Sequence, residues 1–287
     1  MWGLAWQRFK RNKVALAGLF IVGYMVFMGL FADFIAPFPP FSTGYDRGEL
    51  LGLSPSWLHP FGTDGLGFDV FSRIVYGARA VLIVGFGAAG IAMVISILVG
   101  ITAGYYGHKV DEFLMRFTEI FLVLPFFLVI LVLMKVFLSL SSGGISGLGV
   151  IILIIGVFSW PGNARILRGE ILQTREFDFI QAAKCLGASG RRILFRHILP
   201  NVLYLVIVLT TLAVAGAVLI EAGISFLGFG DPNSVTWGQM LSDAEYEILN
   251  GRWWSVIFPG MFISLLVMGF NLLGNGLRDA LDPRLRE

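Results

Sequence analysis

Residues 177–201 read FDFIQAAKCLGASGRRILFRHILPN, a polar and basic island between two long apolar runs. Asp178 is placed to cap a short helix, and Gln181, three positions on, to return the bond as a capping box. Ala182 and Ala183 follow on that helix and leave a low, smooth face that another protein's surface can approach closely. Gly187 supplies the left-handed residue that stops the helix. Ser189 is then placed to start a second helix carrying Arg191, Arg192 and Arg196, which ends in His197-Ile198-Leu199-Pro200, where proline leads back into an apolar run. A solvated loop between membrane spans would also be basic. What distinguishes this one is its spacing: an Ala-Ala pair, three residues, Gly187, then twelve more to Pro200.

Outside this island the chain is greasy. It is 56% hydrophobic and 14% charged, with a mean hydropathy of +0.81, which places it with polytopic membrane proteins rather than soluble domains. Crossing the hydrocarbon takes about 20 residues of helix. Six segments meet that need: roughly 14–36, 80–106, 117–140, 149–168, 202–221 and 255–277. The expected fold class is therefore all-α and polytopic, with six transmembrane helices. The first apolar run is too long for a signal-peptide core and reads as a retained span. Pro125 should kink the third span near its start, and Pro161-Gly162-Asn163 should bend or interrupt the fourth. Gly100 and Gly104, with Gly85, Gly87 and Gly90 before them, suit close internal helix packing in the second span.

Orientation follows from the cations. With the N-terminus inside, Arg8, Lys10, Arg11, Lys13, Lys109, Arg116, Arg165, Arg168, Arg175, Lys184, Arg191, Arg192, Arg196, Arg278, Arg284 and Arg286 all fall inside. Only Arg47, Arg73, Arg79 and Arg252 fall outside, with Lys135 near an outer span end. The asymmetry puts both termini and the 177–201 loop in the cytoplasm. Residues 107–116 then form a short cytoplasmic turn, and 37–79 an outer segment, part of it lying against the membrane surface. In that segment His59, Asp64 and Asp69 are a weak metal-ligand set and read better as a turn-rich loop held by Asx-type bonds. Glu221 closes the fifth span. An acid there is a candidate for the pathway or an outer gate, although a position near the outer boundary also suits a solvated carboxylate. Trp237, Trp253 and Trp254 suit a membrane interface.

Several chemistries have no support. No G-x-x-x-x-G-K-[ST] loop occurs, so no Walker-type ATP site is expected. His59, His108 and His197 sit in different loops, and no catalytic or metal-ligand spacing occurs on one helix face. The cations follow one membrane face rather than forming a nucleic-acid platform. The one cysteine, Cys185, cannot form an intrachain disulfide and reads as a packing residue.

The Ala182-Ala183, Gly187 and Pro200 spacing resembles the cytoplasmic EAA loop of ABC importer permeases, whose coupling helix docks into an ATP-hydrolysing subunit. Gln181 stands where the general pattern has Glu, and His197 where it has a branched aliphatic. The ending His197-Ile198-Leu199-Pro200-Asn201 is similar to the form usual in the dipeptide, oligopeptide and nickel branch. Further stretches resemble that branch: His59-Pro60-Phe61-Gly62-Thr63-Asp64, Asp69 through Arg79, Trp237-Gly238-Gln239-Met240-Leu241, and Asn271 through Arg278 with Asp282-Pro283-Arg284. Phe68 replaces a usual Arg, and Asn275 a common Asp.

The resemblance implies a type I importer fold with a core over residues 76–277. A first span (1–36) would pack at the periphery, followed by an outer segment (37–75). The core would contain a coupling loop at 170–200, and a tail would cover 278–287. It implies a homologous second permease subunit, two ATP-binding subunits and an extracytoplasmic solute-binding protein as partners, in the cell membrane of a prokaryote. It places no cofactor in this chain, with ATP and Mg on the partner subunits. The coupling residues it implies are Asp178, Gln181, Ala182, Ala183, Gly187, Arg191, Arg192, His197 and Pro200. Peptides are the expected cargo, with nickel or oligosaccharides as alternatives in the same class. An ion-coupled secondary transporter is the alternative of a different class; it wants buried acids at mid-membrane in repeated halves, and the chain offers only Asp33 and Glu221 near span ends.

Overall fold

The computed structural model describes residues 2–41, 50–140 and 147–281, and no β-strand forms among them. The chain opens with α1 (Trp2–Arg11), α2 (Lys13–Leu30) and the short α3 (Ala32–Ile35). Next come α4 (Val70–Tyr106), α5 (His108–Val123), α6 (Phe126–Leu140), α7 (Gly147–Phe158) and α8 (Trp160–Thr174). The basic island forms α9 (Asp178–Cys185) and α10 (Gly190–Ile193), and α11 (Leu199–Ile224), α12 (Trp237–Asp243) and α13 (Trp254–Leu281) complete the chain. Among the described residues, five helical stretches are long and apolar enough to cross a membrane, and α5 with α6 makes a sixth if that bent pair is one span. Arg47, Arg284, Arg286 and the Asp282-Pro283-Arg284 motif lie outside the described residues.

Four spans differ from the expected ones, each for a local reason. The second begins at Val70 rather than near residue 80, because Asp69 caps it by accepting from the Ser72 backbone N–H and hydroxyl, both at 2.7 Å. The added turns carry Arg73 and Arg79, which an apolar window rejects; here Arg73 pairs with Asp64 at 2.6 Å and Asp243 at 2.8 Å, and Arg79 with Asp33 at 2.8 Å. The third span breaks instead of kinking: α5 and α6 meet at 79°, with Leu124 extended ahead of Pro125, as the residue before proline prefers. Residues 108–116 are accordingly the start of α5, not a loop, and the turn is confined to Gly107 and His108, both at positive φ.

In the fourth span the interruption falls at Ser159, and Pro161 sits in the first turn of α8, where its missing N–H costs nothing. The fifth span is continuous with the island's second helix. From Gly190 the chain stays helical until the turn at Gly228, passing Pro200 through a π turn at Leu194–Ile198. There the Leu199 N–H reaches back five residues to the Leu194 carbonyl, widening the helix just ahead of the proline ring.

The helix α4 is the hub, packing on α2, α7, α8 and α11. Lipid offers helices little hydrophobic drive to associate, so close contact depends on small residues. A Cβ on Gly100 would stand 2.8 Å from the Ala164 carbonyl oxygen, and one on Gly104 2.9 Å from Ile171 Cβ, both in α8. The same device joins the first and last spans, where Gly18 lies against the backbone of Gly269 and Leu273. Gly100→Ile is therefore expected to force α4 from α8 at a cost of about 1–3 kcal/mol or more, read as a lower unfolding midpoint of the purified chain in detergent.

At the far end, residues 50–69 fold onto the bundle. His59 Nδ1 lies 2.9 Å from Asp69, and Asp64 accepts from the backbone N–H groups of Leu66 and Phe68. These side chains are buried, and their bonds hold the turns of the loop, as the Asx-turn reading expects, and also tie it to Ser72 and Arg73 of α4. Burial pushes the Asp64 carboxyl above its usual range against the opposing pull of Arg73. Trp237 and Trp254 are not interface residues. Both are buried, donating to the carbonyls of Ile74 (3.0 Å) and Thr63 (2.9 Å), so Trp237 nails α12 to α4 and Trp254 nails the outer segment to α13; Trp253 alone of the three is exposed.

Candidate functional site

The loop between α8 and α11 is built around a small apolar plug. Ile180 on α9 and Ile193 on α10 are buried with Ile171, Ile198 and Val202, and Ile101 and Tyr105 of α4 pack against them. This plug seats α9 at the end of the bundle where α4 ends and α5 begins. The sequence reading missed it, because its isoleucines come from four elements and no single helical period links them.

At its start α9 differs from expectation. Phe177, extended, is the cap residue, and no side chain caps the helix; Asp178 is its first residue and exposed. Asp178 has slipped one position into the helix, where its carboxylate still favours the positive end of the dipole. The capping box is absent because Gln181 turns the other way, donating to the Arg175 carbonyl at 3.2 Å and to Glu176 at 3.4 Å. Gln181 thus braces the turn from α8 into α9.

The C-terminal end follows the expectation closely. Gly187 has φ +77, its N–H bonds the Lys184 carbonyl at 2.9 Å, and the Ala188 N–H bonds the Ala183 carbonyl at 3.1 Å. This is a Schellman motif, the arrangement that calls for glycine at the left-handed position. Ser189 stands at the start of α10 without a side-chain cap bond.

The surface of α9 is an apolar knuckle. Ala182 is exposed and Ala183 half-buried; Phe177 and Phe179 are exposed, and Leu186 is 88% exposed. Leu186 was missed as a contact residue, and its place beside the αL glycine is the one clue in the sequence. Cys185 is exposed rather than a packing residue, since Ile180 and Ile193 already fill the space beneath. Lys184, Arg191, Arg192 and Arg196 flank the knuckle, all exposed, and none makes an ion pair among the described residues. His197 is half-buried and Pro200 exposed, both on the α10–α11 side and away from α9. An exposed apolar tip with a cationic rim has the make-up of a docking surface and not of a catalytic one.

The knuckle is also tied to the bundle. Arg168 of α8 makes a bidentate ion pair with Asp111 of α5. Arg175 donates to the Gly104 carbonyl of α4, and Tyr204 of α11 to Glu170 of α8 at 2.9 Å. Through α8, α9 is therefore linked to three other helices.

Glu221 lies at the other end and is not brought near this loop. It is not solvated: it is wholly buried in α11 and accepts from the Ser225 hydroxyl at 2.6 Å. The chain covers it by turning back at Gly228 (φ +84) and laying α12 against α11. There a Cβ on Gly238 would stand 2.4 Å from the Ala222 carbonyl oxygen.

With this geometry in hand, comparison with known proteins is informative along the whole chain. Residues 96–287 match the family model described as binding-protein-dependent transport system inner membrane component, and residues 1–53 the N-terminal TM domain of oligopeptide transport permease C. The dipeptide transport system permease protein DppC of Bacillus subtilis is 42% identical over 98% of this chain and 85% of its own length. The oligopeptide transport system permease protein OppC of the same organism is 37% identical over 100% of this chain and 91% of its own length. The di/tripeptide transport system permease protein DppC of Pseudomonas aeruginosa is 36% identical over 98% and 91%. A bundle of apolar spans with one exposed apolar knuckle at its end, matched along its length to such permeases, makes this chain a member of the family of inner membrane components of binding-protein-dependent transport systems.

Proposed function

We propose that the chain is a permease subunit of an ATP-binding-cassette importer for di- or oligopeptides, forming half of the translocation path with a homologous second permease. Its α9 knuckle faces the cytoplasm and docks on one of two separate ATP-binding subunits, while an extracytoplasmic solute-binding protein delivers cargo at the far end. The observation that carries this is the α9 knuckle, an apolar tip closed by Gly187 and rimmed by cations, in a chain 36–42% identical to peptide-system permeases. The cation asymmetry supports the orientation, since most of the described Lys and Arg fall at the α9 end. The cargo follows from the relatives' names. ATP and Mg belong to the partner subunits.

Cys185, the one thiol in the chain and exposed on α9, serves the test directly. A short bifunctional thiol reagent is expected to join it to an ATPase subunit carrying a cysteine in its docking groove. Proteoliposomes of the assembled complex are expected to take up labelled dipeptide with ATP. Uptake by the chain alone under a proton or sodium gradient would instead make it a secondary transporter.

A further inference from the structure

The first 32 residues hold four cations, Arg8, Lys10, Arg11 and Lys13, and no acid precedes Asp33. All four are exposed, and none has an ion-pair partner among the described residues. They lie on or just after α1, a helix the docking function leaves unused. On its other face Phe9 is buried against Ala15 of α2 and Ala280 of α13, fixing α1 at the root of the first span. Asn12, extended at φ −84 and ψ 100, breaks the helix there and accepts from the Val14 and Ala15 N–H groups. Thus α1 cannot simply continue α2.

The position of this helix selects its partner. Gly29, near the end of α2, lies against Ala78 and Arg79 near the start of α4, so α2 and α4 run antiparallel and α1 sits at the α9 end of the bundle. Just past it, Val14, Leu19 and Phe20 of α2 are exposed, as side chains that face hydrocarbon are. Trp6 is half exposed, stacks on Phe9 at 5.9 Å and has Lys10 Nζ 5.0 Å from its ring centre. An indole beside cations, at the foot of a lipid-facing helix, is the make-up of an interfacial helix with its ring at headgroup depth. The nearest charges on α13, Arg278 and Asp279, are of opposite sign and cancel. An acidic protein partner would satisfy the cations, but it would leave Trp6 and the apolar flank of α2 unexplained.

We infer that α1 is a binding surface for anionic phospholipid headgroups in the leaflet at the α9 end, with Trp6 seated at the interface and Arg8, Lys10, Arg11 and Lys13 on the phosphates. This enriches anionic lipid around the first span. Each cation near an anionic surface is worth roughly five-fold in lipid preference.

The full chain is reconstituted in phosphatidylcholine nanodiscs containing a minor fraction of either brominated phosphatidylglycerol or brominated phosphatidylcholine. Trp6 quenching is isolated as the difference between the native chain and Trp6→Phe. Quenching several-fold stronger with the anionic lipid, reduced in Arg8→Gln/Arg11→Gln and at high salt, is the expected result. That double variant keeps Lys10 and Lys13 to hold the orientation. Equal quenching by the two lipids would reduce α1 to an ordinary interfacial helix. No quenching by either, with Trp6 shielded from acrylamide only when ATPase subunits are added, would assign the surface to a protein partner. Either of these outcomes overturns the inference.

Discussion

In the assembled transporter, Gly187→Val lowers ATP-driven peptide uptake by about an order of magnitude while the permease still folds and inserts. The residue is at φ +77, a conformation that a β-branched residue enters only at a cost of roughly 1–2 kcal/mol, which is about a five- to thirty-fold loss of loops in the docking shape. Space is not the difficulty, because an added Cβ at Gly187 meets nothing within 4 Å. The bundle should not register the change, and the damage stays in the Schellman turn that holds Leu186 out. Gly187→Asn is the matching control, since asparagine tolerates the left-handed region, and it should retain most of the activity. Uptake per ATP hydrolysed separates a joint that has come loose from a protein that has misfolded. Normal uptake and normal ATPase activity in the valine variant would show that the knuckle is not the joint.

Much of this architecture is legible from apolar length and charge sidedness, because a bilayer imposes a minimum span and penalises unpaired cations. The misreadings occur where charges are paired inside the fold. Arg73 and Arg79 stop an apolar window at residue 80, yet Asp64, Asp243 and Asp33 neutralise them within the helix that starts at Val70. Proline misleads in both directions. Pro125 breaks a helix outright because extended Leu124 precedes it, whereas Pro200 is absorbed by a π turn and ends nothing. Which of these happens depends on the neighbouring backbone, and residue type alone does not say.

The loop that carries α9 was legible where a residue's role is conformational. Gly187 had one conformation to supply, and the structure uses it. Roles that depend on a partner elsewhere in the chain were not legible. Gln181 faces Arg175 and Glu176 instead of its own helix start, and Glu221 is buried because α12 returns over it. The tryptophans 237 and 254 have the composition of an interface and the hydrogen bonds of a core. Long-range contacts of that kind leave no periodic trace in the chain.

The Asp111–Arg168 pair should matter as much as the knuckle itself. If docking moves α9, the turn at 175–177 passes the motion to α8, and α5 would follow partly through what ties it to α8. At this level the tie is a bidentate ion pair between side chains that are 15% and 31% exposed. The 79° break at Leu124-Pro125 frees α5 from α6 at its other end. Without the pair, α5 would be held to α8 only by the packing of Phe117 and Phe121 on Trp160, and would follow its swing less closely. Asp111→Asn or Arg168→Gln is therefore expected to cost about 1.5–3 kcal/mol of local stability, and to lower uptake more than ATPase activity. Arg168→Lys should fall between, because an ammonium keeps the charge and loses the two-pronged geometry. The swapped pair, Asp111→Arg with Arg168→Asp, restores the attraction but puts a cation in the first turn of α5, against the helix dipole, so its rescue should be partial. Transported peptide per ATP, measured across these four variants in proteoliposomes, should rank native, swap, lysine, then the neutral singles. If the neutral singles transported as efficiently as the native chain, α5 would take its motion from elsewhere, and the path from α9 into the bundle would run through α4 and α11 alone.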